Sequence, residues 1–395
     1  MRLERELDRR CRKGRRGLAA ALLLAAVAGC SDWQSPPGYS QNEITDAGAA
    51  PAPCAATAAE LAASAGPAGG TCAPAFASGV NVAWFNFAHD IPMPNLCSFR
   101  SLFANVAAAG GPVVRWWLHT TGAATPGYDA NGFALPISEG DIADIRSVLD
   151  RAQASHALLT VSLWSFDMLE QGPVTQNRLL LTDAAHRQAY IDNVLTPLVS
   201  ALAGHPGLYA WEAFNEPEGM TTDFGWTPRD TRVDISDIQT TVNWFGDAIH
   251  AADPKARFTN GCWSFPACSS VDGFRNYYSD DELVNAGGRA LGTLDFYEVH
   301  YYTSNGGRAS PFLHPAAYWG LDKPIVIGEF YAADTDGVAQ DDLYTHLFDD
   351  GYAGAWTWQY ANGDGSMNDG QWPAMRQGLE NLRDAQHASV ALACP

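Results

Sequence analysis

The sequence contains few basic residues. Lys and Arg together number 24, against 44 Asp and Glu, and the 395-residue chain therefore has a formal net charge of −20. Because nucleic acid and anionic membrane surfaces select basic proteins, this charge argues against either as a partner of the main body of the protein. This excess of acidic residues suits a protein that acts on a neutral polymer.

Clustered metal ligands are also missing. The sequence has no Cys-x-x-Cys pair and no His-rich segment, and we predict neither a metal nor a cofactor. Six of the eight cysteines follow residue 30, and an even number in an exported protein predicts disulfides. Cys262 and Cys268 bracket a short segment and are predicted to pair. The pairing of the other four stays open: Cys54, Cys72, Cys97 and Cys394.

Residues 1–30 predict an export signal. Eight basic residues precede the apolar run 17–28, which is short for a transmembrane helix. Val27-Ala28-Gly29-Cys30 resembles the lipobox of bacterial lipoproteins, in which Cys30 would carry the lipid. We therefore expect an exported lipoprotein whose membrane contact is this N-terminal anchor. The alternative is an ordinary signal peptide and a secreted or periplasmic protein.

The rest of the chain divides into two parts by composition. Residues 31–75 are rich in Ala, Gly, Pro and Ser with almost no large apolar residues, which predicts a flexible spacer. Residues 76–395 predict one large catalytic domain, and the hydrophobic content of 47% supports a sizeable core. We expect the protein to be a monomer.

From residue 77 onward, eight apolar runs alternate with amphipathic stretches, a pattern typical of parallel strands joined by helices. The runs are 79–87, 112–118, 157–164, 208–214, 256–263, 294–301, 324–330 and 353–358. Three helices are predicted to begin at Ser138, Asp183 and Asp234, which are good capping residues. The sequence therefore predicts an α/β fold, a (β/α)8 TIM barrel. The alternative, an open doubly wound sheet, calls for a glycine-rich phosphate loop that is not present.

Two of the runs end in a glutamate. The fourth passes into Asn215-Glu216-Pro217, and the seventh ends in Gly328-Glu329-Phe330. Because the carboxyl ends of barrel strands form one face, we expect the two glutamates to meet there. Two facing carboxyl groups are what the hydrolysis of a glycoside needs, one to protonate the leaving oxygen and one to attack or to direct water.

These strand ends resemble those of clan A glycoside hydrolases, most closely family 5, which contains cellulases, β-mannanases and related β-glycanases. The resemblance rests on Asn215-Glu216-Pro217, the His-x-Tyr at 300–302, Gly328-Glu329-Phe330 and Trp358, and it covers roughly residues 77–382. It implies a retaining hydrolase in which Glu216 is the acid/base and Glu329 is the nucleophile.

The resemblance also implies a substrate site. Asn215 would hold the sugar 2-hydroxyl, and Arg115 would keep Glu329 ionised. His300 and Tyr302 would hydrogen-bond around the nucleophile and the −1 sugar, with Trp358 as the floor of that subsite. Trp164 is a further candidate at the end of the third strand, where this chain departs from the histidine that many family members carry. We interpret Glu212 and Glu298, deeper in the barrel by strand alternation, as partners of buried polar groups.

The predicted function is that of a secreted retaining β-glycoside hydrolase. Its substrate would be a neutral β-linked polysaccharide or oligosaccharide of the β-1,4-mannan or β-1,4-glucan type. An exo-acting β-glycosidase would keep the same two glutamates. A non-catalytic carbohydrate-binding lipoprotein is the alternative from another class, and the presence of both glutamates argues against it.

Overall fold

The computed structural model describes Thr57, Glu60 and residues 73–393. The predicted export signal, including Cys30, lies outside the described residues, as do Cys54, Cys72 and Cys394. Within the described part of the chain, no helix combines the length and the apolar character needed to cross a membrane.

Eight parallel strands close into a barrel, in which each strand pairs with the next and the last pairs with the first. The strands are β1 (Ala77–Asn81), β2 (Val113–Thr120), β3 (Leu158–Ser165), β4 (Leu208–Asn215), β5 (Phe258–Cys262), β6 (Tyr297–His300), β7 (Ile325–Glu329) and β8 (Gly354–Thr357). The predicted (β/α)8 fold is confirmed.

Helices surround the strands. The α-helices are α1 (Leu96–Ala109), α2 (Glu139–Ala154), α3 (Val174–Thr182), α4 (Ala184–Tyr190), α5 (Thr196–Leu202), α6 (Ile235–Ala252), α7 (Phe265–Cys268), α8 (Asp280–Gly287), α9 (Leu343–Asp349) and α10 (Trp372–Val390). A π-helical turn, Ile191–Leu195, joins α4 to α5. Short 3-10 turns lie at Phe166–Leu169, Pro217–Met220, Val271–Gly273, Thr303–Asn305, Gly307–Ala309, Ala316–Trp319 and Gln340–Asp342.

Side-chain caps define where several helices begin. The Ser138 hydroxyl accepts the backbone N–H of Asp141 at the start of α2. The Asp183 carboxylate accepts the N–H groups of Ala185 and His186 at the start of α4. Such caps satisfy backbone donors that have no partner within the helix. Asp234 likewise precedes α6 and forms a capping box with Asp237, so all three predicted helix starts are confirmed.

The first strand is shorter than its apolar run suggested. The run continues to Phe87, but β1 ends at Asn81. Beyond it, the carboxylate of Asp90 accepts the N–H groups of Phe85 at 3.0 Å and Asn86 at 2.8 Å. These donors bond a side chain instead of a neighbouring strand, and the segment is therefore a loop.

Apolar packing fills both sides of the strands. The main core lies between strands and helices and includes Phe99, Leu149 and Phe245, which are fully buried. A smaller apolar cluster contains residues from seven of the eight strands, each in the strand or just before it. Its members are Ala77, Val113, Leu158, Ala210, Phe296, Val326 and Trp356. Since Val113, Arg115 and Trp117 share one face of β2 by alternation, this cluster lies below the polar part of the barrel interior.

Two further contacts concern the sequence predictions. The predicted disulfide between Cys262 and Cys268 is present, and Cys97 is disulfide-bonded as well. Glu60, in the predicted spacer, accepts hydrogen bonds from Arg100 on α1 at 2.7 and 2.6 Å. At this residue the segment contacts the barrel rather than extending freely from it.

Candidate active site

Arg115 is the centre of the polar layer inside the barrel. It is fully buried on β2, and its Nε donates to Glu212 Oε2 at 2.6 Å. Its Nη2 donates to Glu212 Oε1 at 2.7 Å and to Asn215 Oδ1 at 3.0 Å. Its Nη1 donates to Asn81 Oδ1 at 2.9 Å and to Glu329 Oε1 at 2.7 Å. All five N–H donors of the guanidinium are therefore in use.

An irregularity in β7 aims Glu329 into this layer. Val299 pairs with Ile327 and the next residue, His300, pairs with Glu329, so that β7 advances by two residues while β6 advances by one. Such an extra residue reverses the side to which the following side chain points. The extra residue is Gly328, where an added Cβ would lie 2.6 Å from the Glu298 side chain. Glycine is therefore required at this position.

A second irregularity, in β4, precedes Glu216. Glu212 pairs with Thr259 and Asn215 with Gly261, so that β4 advances by three residues while β5 advances by two. Glu216 then adopts a left-handed backbone with φ 44° and ψ 54°, which is uncommon for a residue other than glycine. Its N–H donates to Gly261 O at 2.7 Å, which helps to hold this conformation. Strained residues of this kind cluster at functional sites.

Two predicted residues, one at the end of β6 and one just after it, lie beside the two glutamates. The Tyr302 hydroxyl donates to Glu329 Oε2 at 2.6 Å. His300 Nδ1 lies 2.9 Å from Glu216 Oε1 and 3.6 Å from Glu329 Oε1. Carboxylate oxygens of Glu216 and Glu329 lie within 4.8 Å of each other. The structure thus brings together the two glutamates with Arg115, as the sequence predicted.

The surroundings of the two glutamates favour different protonation states. Burial, followed by the negative charges of Glu329 and Glu218, raises the pKa of Glu216 well above its usual range. Burial also raises the pKa of Glu329, but the charge of Arg115 and the hydrogen bonds from Arg115 and Tyr302 oppose that rise. Glu329 therefore ionises at a lower pH than Glu216. Between the two pKa values, Glu329 is a carboxylate while Glu216 still carries its proton.

His300 is neutral in this environment. Its side chain is fully buried, and burial followed by the positive charge of Arg115 lowers the pKa of His300 well below its usual range. The Nδ1 of a neutral imidazole can donate to an ionised Glu216 in one tautomer, or accept from a protonated Glu216 in the other.

Glu216, His300 and Glu329 each offer a ligand atom within 4.8 Å of the other two, which is close enough for a metal ion. Both oxygens of Glu329 already accept hydrogen bonds, from Arg115 and Tyr302. The positive charge that a cation would supply is provided there by the guanidinium. We assign no metal ligands to this group.

Aromatic rings lie next to the polar layer. The half-buried ring of Trp358 packs 6.0 Å from Trp84 and 5.6 Å from Trp117, between ring centroids. Trp117 in turn lies 5.6 Å from the Arg115 guanidinium. The backbone N–H of Trp358 donates to the carbonyl of Phe330, the residue after Glu329. Trp358 therefore lies just after β8 with part of its ring exposed, and its predicted contact with a sugar stays a prediction.

The structure does not bring Trp164 to this group. Its side chain is fully buried in the main core, 4.9 Å from the ring of His119 and 5.6 Å from the ring of Tyr190. Because these neighbours cover it, the ring has no face open to a sugar. The predicted substrate contact of Trp164 is therefore corrected to a packing role.

Sequence reasoning missed Glu218, although it follows Glu216 by two residues. Glu218 is fully buried; its Oε1 accepts from the Tyr278 hydroxyl at 2.5 Å and its Oε2 accepts from the backbone N–H of Trp263 at 2.9 Å. Burial raises the pKa of Glu218 to about 7. The sequence did contain one signal for a buried Glu218, namely an acidic residue between the apolar residues Pro217 and Met220.

The negative charge of Glu218 should raise the pKa of Glu216, the predicted acid/base. At alkaline pH Glu218 is ionised, and its charge favours the protonated form of Glu216. We expect Glu218→Gln to lower the pKa of Glu216 and to move the alkaline limb of the kcat/KM profile to lower pH. The variant should also lose about 1–3 kcal/mol of stability, because glutamine has one oxygen acceptor where two buried donors, the Tyr278 hydroxyl and the Trp263 N–H, each need one. Tyr278→Phe is the control, since it loses stability but keeps the charge. Equal alkaline limbs in Glu218→Gln and wild type would contradict the electrostatic role.

Comparisons with known proteins agree with this geometry. No protein-family model matches the chain. A mannan endo-1,4-beta-mannosidase of Mytilus edulis is 34% identical over 340 residues, covering 80% of this chain and 90% of that protein. A protein of the same name from Cryptopygus antarcticus is 33% identical over 314 residues, covering 73% of this chain and 81% of its own length.

The fold comparison leads to the same group. The X-ray structure of β-mannanase from the blue mussel Mytilus edulis superposes with a TM-score of 0.74 at 32% identity, and the match covers 82% of this chain and 99% of that chain. The chain therefore belongs to glycoside hydrolase family 5 of clan A, as a homologue of its β-mannanases.

Proposed function

We propose that this protein is an endo-1,4-β-mannanase that hydrolyses its substrate with retention of configuration. The observation that carries the proposal is the pair Glu216 and Glu329, which have carboxylate oxygens within 4.8 Å of each other. Retaining glycosidases place their two carboxyl groups about 5–5.5 Å apart, whereas inverting enzymes leave room for a water between them. The short separation supports direct attack by one of the two carboxylates.

The first step forms a covalent intermediate. An ionised Glu329 attacks the anomeric carbon, and the bond from that carbon to the glycosidic oxygen breaks. Glu216 gives its proton to the departing oxygen, so that the leaving sugar is released as a neutral alcohol. Arg115 and Tyr302 orient Glu329 for this attack, since each donates to one of its carboxylate oxygens.

The second step releases the sugar. Glu216, now ionised, takes a proton from water, and the water oxygen attacks the anomeric carbon. The bond to Glu329 breaks, which returns both carboxyl groups to their starting states. In this scheme Asn215, held by Arg115, would bind the 2-hydroxyl of the −1 sugar, and Trp358 would pack against its apolar face.

The choice of mannan rests on the relatives. Two curated relatives that cover most of this chain are both named mannan endo-1,4-beta-mannosidase. Their common name supports internal cleavage of a β-1,4-linked mannan by this chain.

A panel of polysaccharides tests the proposal. Purified protein is incubated with linear β-1,4-mannan and with a β-1,4-glucan, and the products are sized over time. We expect the mannan to yield a range of oligosaccharides from the first minutes, and the glucan to be cleaved much more slowly. Release of a single small product from the start would support the exo-acting alternative. No cleavage of any β-linked polysaccharide would support the non-catalytic alternative.

We also propose that the protein is exported and held to a membrane by a lipid on Cys30. The support for this is the basic, short-apolar and lipobox pattern of residues 1–30. The acidic body of the protein suits an exported hydrolase of a neutral polymer. Fractionation of the source cells with metabolic lipid labelling tests this proposal, and recovery of only unlabelled protein would count against it.

A further inference from the structure

Glu298 is a buried acid that the proposed reaction does not use. It lies on β6, two residues before His300, and its side chain is fully buried. Its Oε1 lies 2.8 Å from Arg115 Nε and 3.8 Å from His300 Nε2. The other charged or titratable groups that face it are Glu212 and Tyr209 on β4 and Glu329 on β7.

The hydrogen bonds of Arg115 do not include Glu298. The single proton on Nε is donated to Glu212 Oε2, and the four protons on Nη1 and Nη2 are donated to other acceptors. Neither carboxyl oxygen of Glu298 accepts a hydrogen bond from a described donor. Its closeness to Arg115 Nε is therefore a contact without a hydrogen bond.

An ionised carboxylate in this position would be unfavourable. A buried anion needs donors to replace the water that it loses, and the described residues offer none to Glu298. With Glu298 ionised, one guanidinium would face three buried carboxylates, those of Glu212, Glu298 and Glu329. A neutral carboxyl needs only an acceptor for its own proton.

Glu212 supplies that acceptor. Glu212 Oε2 lies 2.6 Å and Glu298 Oε1 lies 2.8 Å from the same Arg115 Nε, so the two carboxyl groups are neighbours. A hydrogen bond between two carboxyl groups requires a proton on one of them. Burial, followed by the negative charge of Glu212, raises the pKa of Glu298 well above its usual range. The glycines on β5 and β7 leave room for the pair, since an added Cβ at Gly261 would lie 2.5 Å from Glu212 Oε1 and one at Gly328 would lie 2.6 Å from Glu298 Oε1.

We propose that Glu298 remains protonated through the working pH range and acts as a positioning residue, donating its proton to Glu212 and thereby holding Arg115 against Glu329. The proposal rests on the proposed function in that Glu329 is the group held for attack. A hydrogen-bonded chain then runs from Glu298 through Glu212 and Arg115 to the nucleophile. The neutral state of Glu298 also leaves Glu329 free to ionise, because a third carboxylate at Arg115 would oppose that ionisation.

Infrared spectroscopy of the purified full-length protein tests the protonation state of Glu298 without relying on activity. The difference spectrum of wild type minus Glu298→Gln at pH 8 should show the carbonyl stretch of a protonated carboxylic acid. Glu282→Gln is the matched control, because Glu282 is a partly exposed glutamate paired with Arg275. Its difference spectrum should show carboxylate bands instead. Carboxylate bands for Glu298 as well would overturn the proposal.

Kinetics test the positioning role. Glu298→Ala removes the donor to Glu212 and should lower kcat by about 10- to 100-fold, the effect expected of a slightly misplaced reacting group. Glu298→Gln, whose amide N–H can donate to Glu212, should recover most of that loss. Its acid limb in the kcat/KM profile should match that of wild type, since no charge has changed. If the acid limb of Glu298→Gln moves to lower pH, Glu298 is normally ionised. If the kcat of Glu298→Gln is no higher than that of Glu298→Ala, the hydrogen-bonding role is excluded.

The two proposals fail in different ways. A wild-type protein that does not cleave mannan would refute the proposed function, while the infrared result would still report the state of Glu298. A wild-type protein that cleaves mannan but lacks the acid band of Glu298 would refute this inference alone. If Glu298→Ala does not fold, the spectrum and pH profile of Glu298→Gln decide the question.

Discussion

Replacing Glu329 with alanine is expected to lower the rate of mannan hydrolysis by on the order of 10⁴-fold or more, since the attacking group is lost. The acid, Glu216, remains in place. Small anions such as azide can then enter the space left by the carboxylate and attack the anomeric carbon from the same side as Glu329 did. We expect an activated mannoside to give a glycosyl azide of inverted configuration, identified by NMR.

Glu329→Gln provides a control for this experiment. It keeps the volume of the side chain and an acceptor for Arg115 or Tyr302, but it removes the nucleophilic carboxylate. We expect it to be as inactive as the alanine variant and to be rescued poorly by azide, because the cavity is filled. Wild-type activity in either variant would show that Glu329 is not the nucleophile.

Glu216→Ala should affect the two steps of the reaction differently. Hydrolysis of mannan, whose leaving group needs a proton, should fall by about 10²- to 10⁴-fold. An activated aryl glycoside needs little protonation, and its first step should proceed at close to the wild-type rate. Deglycosylation should then become slow because the base is missing, and a burst of aryl alcohol should precede the steady state.

Azide distinguishes Glu216 from Glu329. In Glu216→Ala it should attack the covalent intermediate on Glu329, and the glycosyl azide should then have retained configuration. The two alanine variants should thus give azides of opposite anomeric configuration from one substrate. Products of the same configuration from both variants would show that the roles of the two glutamates are assigned wrongly.

Much of the barrel could be predicted because its signals are local. Each strand is an apolar run, and several helices begin at a side chain that caps them, as Ser138 and Asp183 do. The end of β1 could not be predicted in this way. The carboxylate of Asp90 takes the N–H groups of Phe85 and Asn86, and an apolar run does not show which side chain will compete for its donors.

The candidate site could be predicted in part. Glu216, Glu329 and Arg115 occupy strand ends or interior positions that the barrel topology brings together. Trp164 follows the same rule by its position, but it lies under His119 and Tyr190. Whether a strand-end ring faces a cleft or the core depends on which residues cover it, and these come from distant parts of the chain.

The sequence by itself determined the parallel barrel, the two glutamate-bearing strand ends and the short disulfide loop. The spacing of apolar residues, the residues at turns and the residue at each strand end are local features of the sequence. They favour particular strands, helices and turns whatever distant contacts form later. The direction of Glu329 was decided only by the tertiary structure. Simple alternation from Val326 would turn Glu329 away from the barrel interior, and the extra residue of β7 against β6 turns it inward.

The protonation of the buried acids was also decided only by the tertiary structure. Glu212, Glu298 and Glu329 are the same residue type on three buried strands, and nothing local distinguishes them. They differ in how many of the five Arg115 donors each receives: two for Glu212, one for Glu329 and none for Glu298. That division depends on how β2, β4, β6 and β7 pack around one guanidinium, because the orientation of its donors is set by all four strands at once.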